Sequence, residues 1–166
     1  MRDVSSIVVD GYNLIGISHD DLAKQREDLV RLLAAYKKLK GHEIVLVFDG
    51  WKSGGLREET VRTGGITVIY SKLGEKADSV IQRIIGKEQK EWIVVSSDRE
   101  VAAYAWSHGA VPVASERFHS LLEDAGSPPA GEYDPLYEEE VPVTRKGSSR
   151  TPSRKEKALL RILKKL

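Results

Sequence analysis

Ile44-Val45-Leu46-Val47-Phe48-Asp49 is five apolar residues closed by one acid. An apolar run this short, bounded by the turn dipeptide Asp49-Gly50, reads as a strand covered on both faces. The same form recurs on either side of it, in Ile7-Val8-Val9-Asp10 and in Ile93-Val94-Val95-Ser96-Ser97-Asp98. Between these runs the apolar spacing turns helical. Leu22, Leu29, Leu32, Leu33, Tyr36 and Leu39 mark a helix over about 20–40, and Val80, Ile81, Ile84 and Ile85 mark another over about 75–87. Strands are expected at about 5–10, 43–49, 66–70, 91–97 and 110–114, with further helices at about 98–107 and 115–124. Strands alternating with helices predict an α/β fold: a mostly parallel five-stranded sheet with helices on both faces, an α/β/α sandwich of three layers.

Parallel winding brings the carboxyl ends of strands and the starts of nearby helices to one edge, where ligands bind. Asp10, Asp49 and Asp98 each end an apolar run, and Asp78 lies near a helix start in Ala77-Asp78-Ser79-Val80-Ile81. Carboxylates converging from separate segments suit hard cations such as Mg²⁺ or Mn²⁺. Two such ions activate a water and stabilise the leaving oxygen in phosphodiester hydrolysis. Taken singly, each aspartate also serves as an ordinary turn former or helix cap. Asn13, three residues after Asp10, is placed to orient a metal-bound water or Asp10 itself, or to make a local turn. Ser96 and Ser97 sit beside the last acid.

Other chemistries lack their residues. There is no cysteine, hence no disulfide framework and no zinc-thiolate site. His19, His42, His108 and His119 show no metal-ligand spacing. No Gly-x-Gly-x-x-Gly or P-loop is present, so no nucleotide cofactor is expected. Asp10-Gly11-Tyr12 is not the Asp-x-Asp of a haloacid-dehalogenase phosphatase. Met1-Arg2-Asp3-Val4 enters the first strand almost at once, and no apolar run approaches the ~20 residues that cross a bilayer. The expectation is a soluble, cytoplasmic protein with no membrane partner.

Lys52, Arg57, Arg62, Lys72, Lys76 and Arg99 fall in segments that should surround the acids and grip phosphates, with Lys72, Lys76 and Arg99 the chosen candidates. Trp51 and Tyr12 are candidates for stacking on unpaired bases. Trp92 and Trp106 read as packing residues. The net charge of +1 hides an asymmetry: 145–166 holds nine Lys or Arg and one acid, a balance of +8, leaving −7 on the rest. The chain divides into a domain over 1–125, a Pro- and Gly-rich linker over 126–152, and a basic amphipathic helix over 153–166. Ser153 and Glu156 form a capping box at the start of that helix. This basic helix is expected to contact RNA or a ribosome, or else to fold its Leu-rich stripe back onto the domain, with a membrane surface the weakest alternative.

Asp10-Gly11-Tyr12-Asn13-Leu14-Ile15, Val47-Phe48-Asp49-Gly50, Ala77-Asp78-Ser79-Val80-Ile81 and Val95-Ser96-Ser97-Asp98-Arg99-Glu100 together resemble the NYN domain of the PIN-like nuclease superfamily, in its bacterial YacP-like subgroup. The resemblance covers about 4–125, and the basic C-terminus is similar too. It implies a PIN-like sheet of order 3-2-1-4-5 and a Mg²⁺- or Mn²⁺-dependent endoribonuclease acting on single-stranded, ribosome-associated mRNA. By that resemblance Asp10, Asn13, Asp78 and Asp98 form the catalytic site. Asp10 and Asp98 are the principal metal ligands, Asp78 is a ligand through water, and Asp49 is a further metal candidate. Related sites often carry another acid after the last one; here Arg99 and then Glu100 follow. A non-catalytic RNA- or ribosome-binding module on the same fold is the alternative.

Overall fold

The computed structural model describes residues 4–15, 21–50, 55–88, 90–126 and 152–166. Six strands form one sheet: β1 (Ser6–Asp10), β2 (Glu43–Phe48), β3 (Glu59–Thr63), β4 (Ile66–Tyr70), β5 (Trp92–Val95) and β6 (Val111–Val113). Their order is β3-β4-β2-β1-β5-β6. Every pairing is parallel except β3 with β4. The α/β class and the expected order of the five parallel strands hold, with one strand more than expected. The addition, β3, lies in a charged stretch with every residue exposed, so no apolar alternation marks it. Its signal is Gly64-Gly65, both at positive φ (59° and 81°), the backbone that a tight two-residue hairpin demands.

The helices are α1 (Gly11–Ile15), α2 (Leu22–Lys40), α3 (Ala77–Lys87), α4 (Arg99–Ser107), α5 (Ser115–Gly126) and α6 (Arg154–Lys165). Alternation along the buried strands builds two cores. Ile7 and Val9, Ile44, Leu46 and Phe48, and Ile93 and Val95 face Leu29, Leu33 and Tyr36 of α2 and Phe118 and Leu122 of α5. Val8, Val45, Val47 and Val94 face Val80, Ile81 and Ile85 of α3 and Val101 and Ala105 of α4. Trp92 is buried in the second core, and Trp106 packs half-buried against the first, as their reading as packing residues requires.

Helix α6 turns its apolar stripe onto the domain. Ile162 and Leu166 are buried in the first core, with Ala158, Leu159 and Leu163 packed beside them. Two side chains hold its end. The Tyr36 hydroxyl donates to the Leu166 carbonyl at 2.7 Å. His42 Nδ1 accepts from the Ser5 N–H at 3.1 Å, so its Nε2 carries the proton and donates to the Lys165 carbonyl at 3.0 Å. The capping box is present: Ser153 Oγ accepts from the Glu156 N–H, and Glu156 accepts from the Ser153 N–H. Arg154, Lys155, Lys157, Arg161 and Lys164 stay exposed. Of the expected linker, 127–151 lies outside the described residues. Among the described residues no helix is long and apolar enough to cross a membrane.

Candidate active site

Strands β1, β2 and β5 run parallel, with Val9 beside both Leu46 and Val95, so their carboxyl ends share one edge. Asp10 ends β1, Asp49 follows β2 and Asp98 follows β5 by three residues. Asp78 is the second residue of α3, whose start meets that edge. Asp10 takes the same sheet face as Val8, the face that α3 and α4 cover. The four acids therefore come from four segments to one corner of the fold.

Each is held differently. Asp10 is buried, and the backbone N–H of Asn13 donates to it. Ser96 Oγ makes a long 3.5 Å contact to Asp10 Oδ2 and accepts the Asp98 N–H at 3.2 Å, bridging the first and last acids. Asp98 caps α4, its Oδ1 accepting from the N–H groups of Glu100 (2.8 Å) and Val101 (3.3 Å). Asp49 Oδ1 accepts the Ala77 N–H at the start of α3. The turn and capping roles open to single aspartates are thus filled by Asp49 and Asp98, each through one oxygen. Gly50 is required here for space: a Cβ would collide with the Ser71 backbone, while its N–H donates to Ser71 Oγ at 2.8 Å.

The electrostatics couple all four. Burial, then the Asp78 charge, push the Asp10 carboxyl from 3.8 up to about 7; Asp49 adds to the rise, and the Asn13 and Ser96 hydrogen bonds oppose it. Asp78 is also raised, by burial first, then by Asp98 and Asp49; Glu100 adds to this and Lys76 opposes it. Glu100 therefore acts on the cluster. Among the described residues, no three His, Asp or Glu are gathered as a group spaced to hold an ion. In kind the residues fit a hard divalent cation: all the donors are carboxylate oxygens, their charges repel one another, and such ions keep several waters.

Asn13 does other work than orienting Asp10 through its amide. Its Oδ1 accepts from the Ser97 N–H at 2.8 Å and from the Ser115 hydroxyl. Ser97 Oγ in turn accepts the Ser115 N–H at 3.0 Å and donates to Glu116 at 2.8 Å. Asn13 thus ties α1 to the loop bearing Asp98 and to the start of α5. Ser115 and Glu116 were not among the expected residues; their signal is their place just after β6, whose carboxyl end reaches the same edge. Tyr12 is half-buried, its ring centroid 5.1 Å from that of Phe48 and its hydroxyl accepting from Arg26 at 3.0 Å. Lys72, Lys76 and Arg99 are exposed in the segments that carry the acids. Trp51 lies outside the described residues.

The YacP-like NYN domain family model matches residues 7–160, which takes in all four acid-bearing motifs and the first seven residues of α6. The chain belongs to the YacP-like NYN domain family. Uncharacterized protein YacP of Bacillus subtilis (strain 168) is 29% identical over 85 residues, 47% of this chain and 49% of that protein. The matched stretch spans about half that relative's length. Two crystal structures of Rae1 (YacP) from Bacillus subtilis, one of them a mutant, superpose with TM-scores of 0.61. They are 21% and 23% identical and cover 74% of this chain and 77% and 75% of theirs, a likeness of fold. The YacP-like NYN family has a nuclease-like fold, and the acids of this chain stand at the carboxyl ends of its parallel strands.

Proposed function

We propose that this chain is a Mg²⁺- or Mn²⁺-dependent endoribonuclease that hydrolyses single-stranded mRNA in the cytoplasm, in association with the ribosome. The carrying observation is the convergence of Asp10, Asp49, Asp78 and Asp98 from four segments on one sheet edge. A bound Mg²⁺ or Mn²⁺ supplies a water activated at neutral pH and offsets charge on the phosphate. Asp10 and Asp98 are the principal ligands in this reading, and Asp78 acts through water. Asp98 has its second oxygen for this, since capping uses only Oδ1. Asp49 spends one oxygen on α3 and is the weakest candidate. Asn13 positions the Asp98 loop, and Lys72, Lys76 and Arg99 are the exposed cations that meet phosphates. The exposed basic side of α6 is the surface offered to the ribosome or to RNA.

The second reading, a non-catalytic RNA- or ribosome-binding module, is favoured by one observation: no three of the acids are gathered ready for an ion among the described residues. Cleavage of single-stranded RNA separates the two. The nuclease reading expects cutting with Mn²⁺ or Mg²⁺, none in EDTA, and a fall of at least about a hundredfold in Asp98→Asn. Equal cutting by wild type and Asp98→Asn would assign the activity to a contaminant.

A further inference from the structure

A second cleft lies at the opposite edge of the sheet from the acids. It is an open cavity of about 520 Å³ between the end of α4, the start of β6 and one side of α6. That size falls within the range of small-molecule sites. Gly109 and Ala110, which lead into β6, and Ala158 of α6 line it with no bulk. Trp106 forms one wall, packed against the core and also open to the cleft. Three cations line it. Arg161 is neutralised by an ion pair with Glu91. Lys155 sits with its ammonium 5.5 Å over the Trp106 ring. No carboxylate pairs with Arg154 or Lys155 among the described residues, so both charges remain available.

An aromatic wall, a floor of small residues and two cations without a carboxylate partner suit a ligand whose planar ring replaces the Lys155 ammonium on Trp106 and whose anionic group takes that ammonium up. We propose that this cleft binds one nucleotide of an RNA strand, its base against Trp106 and its phosphate between Arg154 and Lys155. The assignment rests on the reading above only for the choice of RNA. It gives the docked helix a defined contact, distinct from a diffuse basic surface.

The test is binding of a short labelled single-stranded RNA to the full chain in EDTA, read by fluorescence anisotropy. Arg154→Gln with Lys155→Gln should weaken binding about tenfold and flatten the slope of log affinity against log salt by roughly 0.7, the share of one single-strand phosphate. Trp106→Leu should lose at least about fivefold, the low end of one base stack. Lys157→Gln with Lys164→Gln removes equal charge from α6 outside the cleft and should cost clearly less. Equal losses from the two glutamine pairs, or unchanged affinity in Trp106→Leu, would overturn the cleft. Should Trp106→Leu melt early, the exposed glutamine pairs and their salt slopes still decide. Adenosine monophosphate, followed by tryptophan fluorescence, separates the two sources of a nucleotide. Quenching that Trp106→Phe abolishes, with RNA affinity unmoved in the glutamine variants, would overturn the RNA assignment. Binding is read without divalent cation, so a chain that cuts nothing still gives the expected losses, and failure here leaves the cleavage experiment untouched.

Discussion

Asp10→Asn is expected to lower RNA cleavage at least about a hundredfold, the scale of losing a charged group at a reacting phosphate, while stabilising the cation-free protein at neutral pH. The two effects share one cause. Asp10 is buried beside Asp78 and Asp49, and its carboxyl ionises near 7 in the folded chain against an ordinary 3.8. Below pH 4 it is protonated in both states and contributes nothing. As pH rises from about 4 to 7, the unfolded chain ionises first and folding loses ground. Above 7 the loss is constant, and the separation of the two values corresponds to about 4 kcal/mol. Asparagine cannot ionise, so the variant escapes that loss. Urea unfolding in EDTA across pH 4–8 should show wild-type stability falling and the Asp10→Asn curve falling clearly less, since Asp78 keeps its own raised carboxyl. Parallel curves would mean that Asp10 is not the strained acid of the cluster.

Ile162→Ala should cost about 2–5 kcal/mol, the usual loss for emptying a buried aliphatic site. Ile162 is 1% exposed, within the core that α2, α5 and the sheet share. Leu160, two residues away, is 55% exposed, and its replacement by alanine should stay within about 0.5 kcal/mol. Were α6 only an arm reaching for RNA, both substitutions would be silent in urea unfolding. The docked helix predicts that they differ.

The central strands were legible because burial on both faces leaves unbroken apolar runs, and the acids ending them mark the carboxyl edge of the sheet. Strand β3 was not legible in that way: an edge strand with both faces in water needs no apolar residue, and only Gly64-Gly65 betrays its hairpin. The stripe of α6 showed an amphipathic helix but not what covers it. Deciding that took the geometry of Tyr36 and His42, over a hundred residues earlier in the chain, which bind its last carbonyls. Asn13 shows the same limit at the site. Its distance from Asp10 in sequence suggested a partner for that acid, whereas its side chain reaches Ser97 and Ser115, which only the sheet order brings near. Long-range hydrogen bonds leave no periodic trace in a sequence.

The acidic edge is expected to gather around a divalent cation. This is tested most directly by a crystal of the protein soaked in Mn²⁺ and measured for anomalous scattering. The expected result is a peak shared by the carboxylates of Asp10, Asp78 and Asp98, lost in Asp10→Asn. A peak elsewhere with that corner bare, or no peak at saturating Mn²⁺, would contradict it.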